Sequence, residues 1–243
     1  MTSVLKFKSE IQSARGEMRR SGISCLTPRI LNWLNTVGLF GGVVVGDVIK
    51  SWDVLKTANF LHGRLPRETP VLDVGTYASE ILPLLHRMKF SSLAGVDLNP
   101  RIKEMPFADH IRYEVADFMA TPFPDGSFGV ITAISVIEHG FKSERLLREI
   151  SRLLRPGGYF IASFDYWPEK VGTTGIDIFG MDWKIFSKEE VLAFIEEARA
   201  YGLSPCGDID LEAGEKVIHW GGKNYTFAWL ALGKEHGRNL PTK

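Results

Sequence analysis

Four short apolar runs that end on or beside an aspartate constrain this chain more than any other feature. They are Val71–Val74 with Asp73 inside it, Leu93–Val96 closing at Asp97, Ile111–Val115 leading to Asp117, and Tyr159–Ser163 leading to Asp165. A fifth run, Phe128–Ala133, follows the turn Pro124-Asp125-Gly126-Ser127. Short runs of this kind fit strands, and the continuously apolar ones among them fit burial on both faces. Helical periodicity lies between them, in Ser79–Met88 with Ile81, Leu82, Leu84 and Leu85, and in Ser143–Leu154 with Leu146, Leu147, Ile150, Leu153 and Leu154. Strands and helices alternating at this spacing predict a parallel sheet with helices on both faces and right-handed crossovers. Ligands of such sheets lie beyond the carboxyl ends of the strands, where these aspartates fall.

The flanking regions are less regular. Helices are expected over Ser9–Arg20 and over Ser51–Leu61, the latter carrying Trp52, Leu55 and Phe60 on one side. Pro28–Leu34 opens another, with Thr27 as its cap and Pro28 in its first turn. Val43–Val45 fits a short strand or a buried turn. Residues 1–66 therefore form an N-terminal helical extension or cap, Arg64–Pro70 a linker, and residues 67–243 the main domain with an insertion over about 165–186. Pro156-Gly157-Gly158 is expected to stop the preceding helix. Ser187-Lys188-Glu189-Glu190 is a capping box for a helix that ends at Gly202. Leu211–Trp220 and Tyr225–Leu232 form two strands around the turn Gly221-Gly222-Lys223-Asn224, so their pairing must be antiparallel.

Lys+Arg and Asp+Glu both total 29, a formal net charge of +0. That lacks the concentrated positive footprint of a nucleic-acid surface, and Arg15, Arg19 and Arg20 read as a solvated face. Two cysteines, Cys25 and Cys206, make neither a metal-binding pair nor a disulfide framework. The run Val37–Gly46 is too short to span a bilayer, and the first residues carry no signal-peptide core. A cytoplasmic chain with no metal, no membrane partner and no nucleic-acid partner is the expectation; the oligomeric state stays open.

The site residues follow from the strand ends. In Val71-Leu72-Asp73-Val74-Gly75-Thr76-Tyr77-Ala78-Ser79 a strand runs into a tight turn and then a helix. Gly75 permits positive φ or a close ligand approach, and Asp73 can hold the turn or accept from a cationic group. Asp97, at the end of the next strand, suits a carboxylate receiving two ribose hydroxyls. Asp117 can meet an adenine amine, with Phe118 against the ring or in the core. His139 follows the run Phe128–Ala133, and a histidine side chain ordinarily titrates near neutrality, so it is the candidate general base, with Glu138 to orient it; positioning or packing is its other role.

Taken in order, Val71-Leu72-Asp73-Val74-Gly75, Gly95-Val96-Asp97-Leu98-Asn99, Ala116-Asp117-Phe118, the segment Phe123 to Ile131, Ser135-Val136-Ile137-Glu138-His139 and Leu153-Leu154-Arg155-Pro156-Gly157-Gly158 resemble the class I S-adenosylmethionine-dependent methyltransferases, especially the small-molecule group. The resemblance covers roughly residues 68–233. It implies a Rossmann-like, seven-stranded, mostly parallel sheet with an antiparallel last strand, in three α/β/α layers. It implies S-adenosyl-L-methionine as cofactor, with Gly75 near its methionine part, Asp97 at the ribose, Asp117 and Phe118 at the adenine, Ala133 to Ser135 lining it opposite the substrate, and Asp73, Tyr77 and Leu98 also among the residues that bind it. The departure is at Tyr77 and Ser79, where the family usually has glycines. Ser79 can cap the next helix, whereas Tyr77 must point away from the methionine pocket or fill part of it.

The resemblance implies methyl transfer to a small polar metabolite. Asp165-Tyr166-Trp167-Pro168-Glu169-Lys170 and Trp183-Lys184-Ile185-Phe186, with Asp177 and Asp182, mix aromatics and charges as a sugar or nucleotide sugar would require, so O-methylation of such a molecule is expected. Trp33 and Phe40 are expected to cover the same cleft. A catalytically silent, methyltransferase-like interaction protein is the alternative from another class. An NAD-dependent oxidoreductase would also use Asp97, but the missing glycines and the terminal hairpin count against it.

Overall fold

The computed structural model describes residues 1–39, 41–178 and 180–236. Phe40, expected to act with Trp33, lies outside them. In chain order the elements begin with β1 (Thr2–Val4), α1 (Lys8–Arg20), α2 (Arg29–Thr36) and α3 (Ser51–His62). Next come β2 (Val71–Val74), α4 (Ile81–Arg87), β3 (Leu93–Asp97), β4 (Ile111–Val115), β5 (Phe128–Ile134) and α5 (Ser143–Leu153). The chain closes through β6 (Leu154–Tyr166), β7 (Asp177–Ile178), β8 (Met181–Asp182), α6 (Lys188–Ala200), β9 (Leu203–Pro205), β10 (Ile218–Trp220) and β11 (Lys223–Lys234). The fold class is the expected one, Rossmann-like and three-layered, with seven main strands that are mostly parallel and an antiparallel last strand. Among the described residues no helix is long and apolar enough to cross a membrane.

Two compact units share the chain: Ser9–Thr121, and Met1–Lys8 together with the chain from Pro122 onward. Residues 1–66 thus contribute to both. In the first unit β2, β3 and β4 pair in parallel, with Asp73 opposite Gly95, Gly95 opposite Tyr113, and Asp97 opposite Val115. Every residue of β2 is buried, as a strand covered on both faces must be. On α1 the buried face is Ile11, Ala14, Arg15 and Met18. Arg15 therefore leaves the solvated basic face expected of it, while Arg19 and Arg20 remain exposed. The reason is a buried carboxylate partner, described below.

Thr27 does not cap α2. Pro28 holds the cap position without a side-chain bond, and the Thr27 hydroxyl instead accepts from the Val45 amide at 2.7 Å. The Thr27 amide returns a bond to the Val45 carbonyl at 2.9 Å. These two bonds pinch the segment between them at its neck. Val43–Val45 forms no strand; it is irregular chain with Val43 and Val45 buried. None of the residues of α2 is buried, and Ile30 and Trp33 stand exposed.

In the second unit β5 runs parallel to β6, and β6 runs antiparallel to β11, with Asp165 opposite Phe227. Residues 228–230 of β11 pair with both β6 and β1, so those two strands occupy opposite edges of it. The short β9 joins β11 a little further on, pairing Ser204 with Gly233. Pro156-Gly157-Gly158 does not end the helix. Leu154 is already extended (φ −73°, ψ 138°), and the three residues lie inside β6, where its register with β5 shifts. The terminal hairpin is tighter than expected. Gly221 and Gly222, at φ +55° and +69°, form a two-residue turn that needs positive φ at both positions. Its first strand is correspondingly only Ile218–Trp220. The capping box of α6 is complete: the Glu190 amide donates to Ser187 Oγ at 3.3 Å and the Ser187 amide donates to Glu190 Oε2 at 2.9 Å.

Candidate functional site

In the unit Ser9–Thr121 the carboxyl ends of β2, β3 and β4 carry Asp73, Asp97 and, just beyond, Asp117. The turn after β2 is defined almost bond by bond. The Gly75 and Thr76 amides both donate to the Val96 carbonyl, at 2.9 and 3.2 Å. The Tyr77 amide donates to Asp97 Oδ2 at 2.9 Å, and the Ala78 amide reaches Met105 Sδ at 3.3 Å. The Ala78 carbonyl accepts from the Gly46 amide at 2.8 Å. Gly75 takes positive φ (+68°), as a glycine in such a turn is free to do.

The other left-handed residue is Ala78, at φ +61°; Tyr77 and Ser79 are not left-handed. The two family glycines that this chain lacks are therefore not needed for backbone conformation at their own positions. The strain falls on Ala78 and costs about 1 kcal/mol. Ser79 Oγ accepts from the Ile81 amide at 3.3 Å and so serves the start of α4. Tyr77 is half-buried. Arg101, in the turn that follows Asp97, is held above its ordinary value first by its hydrogen bond to Glu104 and then by the Glu104 charge.

Asp97 is half-buried, and its other oxygen, Oδ1, accepts from the Asn99 amide at 2.8 Å. Each oxygen keeps a lone pair for a further donor. Leu98 beside it is exposed, and Phe118 is half-buried. Asp117 Oδ1 accepts from the Met119 amide at 2.8 Å, which turns the chain after β4. Asp73 is buried below the turn. The Tyr113 phenol donates to the Pro106 carbonyl at 3.1 Å, and its acidity is suppressed first by burial and then by the Asp73 charge. Gly95 is forced by contact, because a Cβ there would lie 2.5 Å from Thr76 Cγ2 and 2.8 Å from Leu82 Cδ1.

The second unit holds the remaining residues. Ala133 is buried near the end of β5, and Ser135 follows with φ +54° and its amide on the Ser163 carbonyl at 2.9 Å. Glu138 is buried and His139 is half-buried. The backbone fixes both: the Lys184 amide donates to the Glu138 carbonyl at 2.8 Å, and the His139 amide to the Val136 carbonyl at 3.1 Å. Beside them Asp165, also buried, accepts from the Trp183 indole at 2.8 Å. The Tyr225 phenol is pushed well up by burial, then by the Asp165 and Glu138 charges and its hydrogen bond to Asp165. Sequence reasoning found Glu138, His139 and Asp165 but not Tyr225, which opens the apolar run after the terminal turn. Among the described residues no group of acidic, histidine and cysteine side chains could hold a metal ion.

A family model described as "Methyltransferase domain" matches residues 72–162. Among curated proteins, "Sterol methyltransferase-like 3" of Botryococcus braunii is 29% identical over 47% of this chain and 30% of its own length. "Ubiquinone/menaquinone biosynthesis C-methyltransferase UbiE" of Geobacter sulfurreducens is 29% identical over 59% of this chain and 56% of its own. The chain spans less than two thirds of these relatives' lengths. Among solved structures, geranyl diphosphate C-methyltransferase from Streptomyces coelicolor A3(2), in complex with Mg2+, geranyl diphosphate and S-adenosyl-L-homocysteine, matches with TM-score 0.54 and 19% identity, covering 74% of this chain and 78% of that one. At that identity the likeness is one of fold.

Proposed function

With the class I S-adenosylmethionine-dependent methyltransferase fold as the frame of this chain, we propose that the protein is an enzyme that binds S-adenosyl-L-methionine and methylates a small organic molecule. One observation carries this reading: the turn after β2 keeps a defined, ligand-facing shape without its usual glycines, because the left-handed position is Ala78 and the Tyr77 amide is tied to Asp97. Gly75 and Tyr77 border the methionine part, and Asp73 holds the turn from beneath. Asp97 receives the ribose hydroxyls on its remaining lone pairs, Asp117 and Phe118 hold the adenine, and Leu98 also borders the cofactor. The cofactor supplies a methyl group already activated by its sulfonium charge. What remains for the chain is to align an acceptor atom and, where the acceptor carries a proton, to remove it.

His139 is the residue to remove that proton, with its backbone locked beside buried Glu138. Once an acceptor is known, His139→Gln separates a base from a positioning residue; full turnover in that variant ends the assignment.

The relatives' names speak of sterols, quinones and, in Amycolatopsis mediterranei, 27-O-demethylrifamycin SV. They support an acceptor with a sizeable apolar body over a free sugar. O-methylation of a sugar or nucleotide sugar rests only on the mixed aromatic and charged residues of the insertion. Titration calorimetry with S-adenosyl-L-homocysteine tests the central claim. Saturable heat is expected; no heat and no thermal stabilisation at millimolar ligand would end it. Binding without turnover across sterol, quinone, macrolide and sugar acceptors would favour a silent relative.

A further inference from the structure

A glycine-built turn takes its shape from the freedom of its own backbone. The turn after β2 has one glycine and a left-handed alanine, so its shape must come from what surrounds it. The surroundings are specific. Arg15 on α1 and Glu80, the residue before α4, form a two-pronged ion pair with Nη1 to Oε1 at 2.9 Å and Nη2 to Oε2 at 2.7 Å. Both are almost wholly buried, at 4% and 2% exposure. Arg15 Nε donates to Ser51 Oγ at 2.9 Å, and Nη1 also donates to Ser24 Oγ at 3.0 Å. Glu80 Oε1 further accepts from the Ser24 hydroxyl at 3.2 Å and the Cys25 amide at 2.7 Å.

Gly46 links this pair to the turn. Its amide holds the Ala78 carbonyl at 2.8 Å, and a Cβ on it would sit 3.1 Å from Glu80 Oε2. The carboxylate is therefore the wall against which Gly46 rests while it holds Ala78. A buried ion pair is a poor source of net stability, since apolar residues of similar volume often do as well. Its geometry, however, is directional in a way that apolar packing is not.

We propose that Arg15 and Glu80 are positioning residues for cofactor binding, which hold the Ala78 turn in its left-handed form through Gly46. This rests on the cofactor reading above. The N-terminal segment is then part of the binding apparatus, although its Arg15 meets the turn only through other residues.

The test uses S-adenosyl-L-homocysteine calorimetry and ligand-free melting on the full chain. Arg15→Lys keeps the charge and loses the planar fork. It is expected to weaken binding about tenfold with only a small fall in melting temperature. Adding Ala78→Gly to it should restore most of the affinity, because glycine needs no outside force to be left-handed. The apolar pair Arg15→Met with Glu80→Leu should melt near wild type yet bind weakly, and it carries the comparison if Arg15→Lys folds poorly. Wild-type affinity in both Arg15→Lys and the apolar pair overturns the proposal, as does a loss that Ala78→Gly leaves unchanged. A wild-type protein that does not bind the ligand at all defeats the cofactor reading instead.

Discussion

The Tyr77 amide and the Asp97 carboxylate share a 2.9 Å hydrogen bond that joins the turn after β2 to the end of β3. The same carboxylate holds the Asn99 amide, so one side chain fixes the entry and exit of two neighbouring loops. Asp97 thus has a structural duty on its protein side and, on the proposed reading, a binding duty on its open side.

Replacing Asp97 by asparagine turns one acceptor oxygen into a donor that faces a backbone N–H. Hydrogen bonds to charged groups are worth about 1.5–3 kcal/mol. S-adenosyl-L-homocysteine affinity should fall at least about tenfold, with a modest loss of stability. Calorimetry reads the first and denaturant midpoints the second; full affinity in a folded Asp97→Asn protein removes the ribose assignment.

Ala78→Gly is expected to stabilise the protein. Relief of the left-handed alanine is worth about 1–2 kcal/mol, against about 0.4–1 kcal/mol for the greater freedom of glycine in the unfolded chain. A higher urea midpoint with unchanged slope is the expected result; a lower one would mean that Ala78 carries no strain.

Gly95→Ala should do the reverse. Its methyl would meet Thr76 and Leu82 at 2.5 and 2.8 Å, with no flexible chain end to yield. Overpacking of this kind costs about 1–3 kcal/mol, and because Thr76 lies in the turn, ligand affinity should fall along with stability. Equilibrium unfolding and calorimetry on the same preparation test both.

Burial pushes the Cys25 thiol up to about 11, with Arg87 opposing that rise more weakly. The folded state therefore keeps its proton where the unfolded chain releases it. Its contribution to stability is complete below the unfolded thiol's pKa, near 9, and is lost as pH rises from there through about 11. At pH 8 the folded thiol should react with a disulfide reagent far more slowly than the same thiol in urea. Equal rates would mean that Cys25 is not shielded.

The sheet was legible because its strands are long enough, and apolar enough, to declare themselves: all of β2 and most of β3 are buried. The carboxylates at their ends were legible for the same reason. What escaped depended on partners distant in sequence. Arg15 looks like a surface arginine beside Arg19 and Arg20, and nothing local announces Glu80 as its partner. Thr27 precedes a proline in a good capping context, but Val45 claims its hydroxyl. The strain at Ala78, rather than at Tyr77 or Ser79, follows from contacts with Met105 and Gly46 that no turn motif encodes. Strands of three residues, such as β1 and β9, are too short to show a period.

The pairing of β1 with β11 also sets an order in time. Thr2 finds Leu230, and Val4 finds Ala228, so β1 has no neighbour until a strand far along the chain has been made. The stretch Ser9–Thr121 is continuous, and its β2, β3 and β4 pair with one another over short separations. Closing so long a loop is slow, and until it closes the edge of β11 that β1 covers is open to other strands.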